Sequence, residues 1–107
     1  MFCLFLFLSC ECEKLDYIRA LRNSDIAFEG IVLEISNNIA ILKVINPIKQ
    51  AKDSIYTVYN QNECPFNFIE NRIYRVFLKA KDGRCFTNNC MGNSSVEDND
   101  DYRDYSE

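Results

Sequence analysis

The residues best placed to do chemistry are Cys10-Glu11-Cys12, which follow directly on the apolar run 1–9. Removing that run would make Cys10 the new amino terminus, with its α-amine and its own carbonyl oxygen set in one five-membered chelate ring. A disulfide fixing such a residue against a folded body would present a bidentate metal ligand. A terminal amine has a pKa of about 8, so a zinc ion displaces its proton at little cost near neutral pH. Two conditions follow: Cys10 must come first, and it must be held.

The first condition rests on Phe2-Cys3-Leu4-Phe5-Leu6-Phe7-Leu8. This stretch is too short to span a bilayer as a helix and reads as the apolar part of a secretory signal, cut after Ser9, although no Lys or Arg precedes it. Export places the chain in an oxidising, extracellular compartment where cysteines pair. The expected organisation is a signal peptide over 1–9, one domain over 10–93 and an acidic disordered tail over 94–107. A domain of about 80 residues has a small core, so disulfides are expected to supplement it. Five of the six cysteines fall within that domain.

Several function classes are excluded by what is missing. A net charge of -4 and the segment Glu97-Asp98-Asn99-Asp100-Asp101 oppose binding to a phosphate backbone. The absence of histidine removes the usual general base and the usual nitrogen ligand for zinc. Gly30, Gly83 and Gly92 are too scattered to cradle a phosphate. No catalytic constellation remains, so a binding protein without a cofactor is expected rather than an enzyme. The spacings Cys-x-Cys and Cys-x-x-x-x-Cys also suit a zinc knuckle poorly. Tyr56, Tyr59, Tyr74 and Phe77 are either a ligand-stacking face or core, and their alternation along strands favours core. Asn93-Ser94-Ser95 is a glycosylation sequon, usable in a eukaryotic secretory pathway.

The elements that must position these residues follow from periodicity. Leu15, Ile18 and Leu21 make an apolar stripe that predicts a short helix over 13–22. Asn23-Ser24-Asp25 breaks it. Two β-branched runs, 26–35 and 39–45, are joined by Ser36-Asn37-Asn38, a hairpin turn because Asn tolerates positive φ. Pro47 is expected to end the second strand, since it cannot donate to a ladder. Strands over 54–59, 72–78 and 84–88 follow, the last two joined by a tight turn at Lys81-Asp82-Gly83. Gly30, inside the long first strand, predicts a bulge or sharp bend. A five-stranded antiparallel barrel of the oligonucleotide/oligosaccharide-binding (OB) type needs such a bend to pair its first strand on both sides. A plain antiparallel sheet and an immunoglobulin-like sandwich are the alternatives, the latter two strands short.

In this order and spacing, Cys10 and Cys12, Asn23 and Asp25, Cys64, the Asp82-Gly83 turn and Cys90 make the chain resemble the netrin-like module of the N-terminal domain of tissue inhibitors of metalloproteinases. The resemblance covers about 10–93. It implies disulfides Cys10–Cys64 and Cys12–Cys90, which would clamp the amino terminus beside the loop holding Asn62 and Glu63. It further implies an inhibitory edge in which the Cys10 amine and carbonyl bind the catalytic zinc of a target metalloproteinase. Glu11 would enter the specificity pocket, flanked by Cys12, Asn62 and Glu63. Here Glu11 replaces the family's usual small hydroxyl residue, and Arg22 stands where the family has a further cysteine.

A competing reading takes Phe7-Leu8-Ser9-Cys10 as a loose bacterial lipoprotein cleavage site. A thioether lipid on Cys10 would abolish both its disulfide and its chelating amine, and would supply the only link to a membrane. The chain would then be a surface-anchored binding module without inhibitory activity, with pairs Cys12–Cys90 and Cys64–Cys85. In the first reading Cys85 is left over, and its odd separation from Cys90 points the two to opposite faces of a strand.

Overall fold

The computed structural model describes residues 11–96. One helix, α1 (Tyr17–Asn23), precedes six strands: β1 (Ile26–Ser36), β2 (Ile39–Lys49), β3 (Ile55–Asn60), β4 (Ile73–Lys81), β5 (Arg84–Thr87) and β6 (Ser94–Ser95). Neighbours run β1-β2-β3-β5-β4, and β1 also pairs with β4, which closes a five-stranded barrel. The expected OB-like barrel with a short N-terminal helix is therefore the fold. One joint differs from expectation: β3 and β5 run parallel, so the barrel is mixed rather than wholly antiparallel.

Closure depends on β1, which pairs with β2 along its length and with β4 through Ile26–Ile31. Its register against β2 shifts between Glu29 and Gly30, where the bend was expected. A Cβ at Gly30 would lie 2.7 Å from the Lys43 carbonyl oxygen and 2.8 Å from the Phe28 ring, so only glycine lets the strands approach there. The second strand does not stop at Pro47 but continues to Lys49. Another register shift, between Ala27 and Phe28, falls opposite Pro47, and such an irregularity is where a ladder tolerates a missing donor. Asn37, at φ 57°, and the Asp82-Gly83 pair, at 55° and 78°, make the two tight hairpin turns.

The barrel interior is built on Phe28, Val32, Leu42, Val58, Val76 and Leu78, all fully buried. Two tyrosines join it by their rings and end loops with their hydroxyls. Tyr56 stacks on Phe28 at 5.1 Å, and its oxygen accepts the N–H groups of Lys52 and Asp53. Tyr74 packs edge-on to Phe66 and Phe68 and accepts the Ile69 N–H. Phe77, at an odd separation from Tyr74 and so on the other face of β4, is buried as well, so three of the four aromatic residues are packed in the body as expected. Tyr59 is half-buried against Phe86, with the Arg84 guanidinium over its ring.

A second apolar cluster lies outside the barrel, where Ala20 of α1 packs with Ala27 and Phe77. The helix starts at Tyr17 rather than at the expected residue 13 because Asp16 caps it, accepting the Arg19 N–H at 2.8 Å. Of the expected stripe, Leu15 and Leu21 pack inward while Ile18 is exposed. The last carbonyls of the helix are satisfied from β2: Lys49 Nζ donates to the Leu21 and Ser24 oxygens. A Cβ at Gly92 would lie 2.7 Å from that of Ala20, so a small residue on each side lets the helix sit against the C-terminal loop. The folded body also runs past the boundary expected after Asn93. Ser94 and Ser95 pair with Arg75 and Tyr74, and the Val96 N–H donates to the Ile73 carbonyl. Residues 1–9, where a signal peptide is expected, Cys10, and residues 97–107 of the expected tail lie outside the described residues. No helix among the described residues is long and apolar enough to cross a membrane.

Candidate functional site

The parallel joint builds the site. Val58, Tyr59 and Asn60 of β3 pair with Cys85, Phe86 and Thr87 of β5, so both strands leave the barrel at the same end and their following loops emerge side by side. An antiparallel pair would have sent those loops to opposite ends. The loops are then tied together: the Gln61 N–H donates to the Thr87 carbonyl, the Asn89 N–H to the Cys64 carbonyl at 2.7 Å, and Asn88 Nδ2 to Gln61 Oε1 at 2.6 Å. The first loop is braced at its base, where the Asn60 side chain both donates to the Phe66 carbonyl and accepts the Phe66 N–H. The second is folded by the Cys90 N–H on Asn88 Oδ1.

Onto this paired rim the N-terminal segment is bolted. Cys12 is disulfide-bonded to Cys90, with Cα atoms 5.1 Å apart. Cys64 Sγ lies 3.8 Å from Cys90 Sγ, and all three sulfurs fall within 4.8 Å of one another. Cys64 is itself disulfide-bonded, while the expected Cys10–Cys64 bridge lies outside the described residues. The alternative pair Cys64–Cys85 is not formed, because Cys85 is a free thiol. It packs against the barrel core from β5, whereas Cys64 stands on the rim. Burial pushes the Cys85 thiol up from its ordinary value, with the Asp53 and Asp25 carboxylates adding to the rise.

Of the expected edge, Glu11, Asn62 and Glu63 are exposed and Cys12 is half-buried. Asn62 and Glu63 sit at the tip of a turn in which the Cys64 N–H reaches the Gln61 carbonyl. The structure thus gathers Cys12, Asn62 and Glu63 on one rim, with Glu11 joined to it through the chain. Glu11 and Glu63 give that rim acidic character. A shallow cleft of about 450 Å³ runs beside it, with Lys14, Leu15 and Asn89 in its walls. No family model and no curated protein matches this chain.

One residue that sequence reasoning assigned elsewhere supports the whole rim. On one side of β4, β6 covers Tyr74 and Arg75 while β5 covers Lys79–Lys81, leaving a gap around Phe77. Asn93 fills it. Its Oδ1 accepts the Phe77 N–H at 2.7 Å and its Nδ2 donates to Thr87 Oγ1 at 2.7 Å, while that hydroxyl donates to the Phe77 carbonyl. The sequon's acceptor nitrogen is therefore engaged in a structural ring of hydrogen bonds. Gln61, Asn88 and Asn93 carry no periodic signal in the sequence, and amides in loops are legible only once the loops are adjacent.

Proposed function

We propose that the protein is a secreted, non-enzymatic inhibitor of a zinc metalloproteinase, of the netrin-like type, acting through Cys10 once 1–9 are removed. The Cys10 α-amine and carbonyl oxygen bind the target's zinc, Glu11 enters the adjoining specificity pocket, and Cys12, Asn62 and Glu63 flank the contact. The observation that carries this reading is the anchorage of Cys12, two residues from the chelating one. It is covalently held to Cys90, in a loop that is itself hydrogen-bonded to the Cys64 loop. An edge ordered before binding loses less entropy on docking. Burying the Glu11 carboxylate in an apolar pocket would cost several kcal/mol, roughly, so the fitting target has a basic or water-filled pocket.

The decisive experiment adds one Ala before Cys10 in the mature protein and measures inhibition across a panel of metalloproteinases. Inhibition should disappear, because the amine is displaced from the metal; unchanged inhibition would remove zinc chelation as the mechanism. Intact mass of the secreted protein accompanies it. An unmodified chain starting at Cys10 is expected, and a diacylglycerol adduct there would instead assign a lipid-anchored binding module.

A further inference from the structure

A second concave surface lies between the end of α1 and the β4–β5 hairpin. Two hollows of about 460 and 490 Å³ share Lys79, Asn88 and Met91 as a common wall and so run in series. Their floor is apolar, with Leu15 in one, Phe86 in the other and Met91 in both. Their rim is cationic: Arg22 stands on the first, Lys81 on the second and Lys79 between them. The single carboxylate in the lining belongs to Asp25, and its Oδ2 already accepts the Ala80 N–H at 2.8 Å. Among the described residues none of the three cations forms an ion pair. Lys79 Nζ only reaches the Asn23 carbonyl.

Three cations facing a single carboxylate around an apolar floor are unexpected on a chain of net charge -4. A concave, low-dielectric wall focuses such a field and draws in the opposite charge. We propose that this groove binds an extended acidic peptide segment carrying an apolar or aromatic side chain. Carboxylates meet Arg22, Lys79 and Lys81, and the apolar side chain covers Phe86 and Met91. Two hollows in series suit an extended chain, whose successive residues advance by about 3.3 Å. A sulfated glycan would use the cations but leave the apolar floor exposed. The residues assigned to the peptide, Arg22, Lys79, Lys81, Phe86 and Met91, are all distinct from those of the Cys10 edge, although Leu15 also walls the cleft beside that edge and Asn88 braces its rim.

The test is anisotropy titration of a fluorescein-labelled peptide DEDFDE against the disulfide-intact protein, with amide shifts followed by NMR. Saturable binding is expected, weakening as salt rises, with shifts centred on Lys79, Phe86 and Met91. Arg22→Glu and Lys81→Glu should each weaken binding about five-fold or more, and a peptide with Ala in place of Phe should bind less tightly. Both positions are exposed and without ion pairs, and unchanged melting of the variants confirms that the fold is kept. Equal affinity in the variants, shifts mapping elsewhere, no saturable binding up to millimolar peptide, or preference for a sulfated hexasaccharide would each overturn the assignment.

Discussion

Asn93 and Cys85 show how much a single side chain decides in a small barrel. Replacing Asn93 with Ala strands the Phe77 N–H and removes the donor to Thr87. The expected loss is about 2 kcal/mol, the cost of buried polar groups left without partners, read as a lower urea midpoint at unchanged slope. A glycan on the same nitrogen would break the same ring. Cys85 gives a pH prediction. Its thiol is held above the ordinary value by burial first and by Asp53 and Asp25 second, so the folded chain binds that proton more tightly than the unfolded one. That contribution to stability is whole below the unfolded thiol pKa of about 8.5 and is lost as pH climbs through the folded value. Wild-type stability should therefore fall more steeply above this pH than that of Cys85→Ala, in parallel urea titrations. Equal slopes would show that the thiol is not coupled to folding.

At the scale of elements, the bend in β1 is the most exposed to a small change. Gly30→Ala forces a methyl group against the Lys43 carbonyl oxygen and the Phe28 ring, and is expected to cost about 2–3 kcal/mol and lower the melting temperature by calorimetry. That bend was legible in the sequence because a lone glycine in a β-branched run has few other uses. The hairpin at Asn37 was legible for the same kind of local reason. Pro47 misled, since the expectation treated the ladder as regular and the register shift opposite it is a property of two strands. The β3–β5 pairing joins segments far apart in the chain, and β6 is a Ser-Ser pair with no apolar alternation, so neither left a local trace. The helix start was readable in principle, through Asp16 as a cap, yet the apolar stripe extends beyond it. The rim was half legible: Cys12, Asn62, Glu63 and Cys90 came from a family pattern, whereas the amide network that braces them depends on loop adjacency.

For the whole molecule, the Cys12–Cys90 bridge closes a loop across a separation of 78 residues and pins the segment before α1 to the segment after β5. In the chain-entropy account such a bridge contributes about 4 kcal/mol, reduced in practice by strain and residual unfolded structure. The double variant Cys12→Ala, Cys90→Ala is expected to lose about 2–4 kcal/mol, measured by urea unfolding. Because the barrel keeps its own interior cluster, far-ultraviolet dichroism should remain that of a β protein. Loss of all structure in that variant would mean that the bridge, rather than the barrel, organises the chain.

The parallel seam has one further consequence, for how such a scaffold can diversify. Since two staves run off the same lip, any insertion after Asn60 lands beside any insertion after Thr87, whatever their sequences. New loop tips can be exchanged there in pairs, as a hand holds two fingers together, while the staves beneath stay as they are.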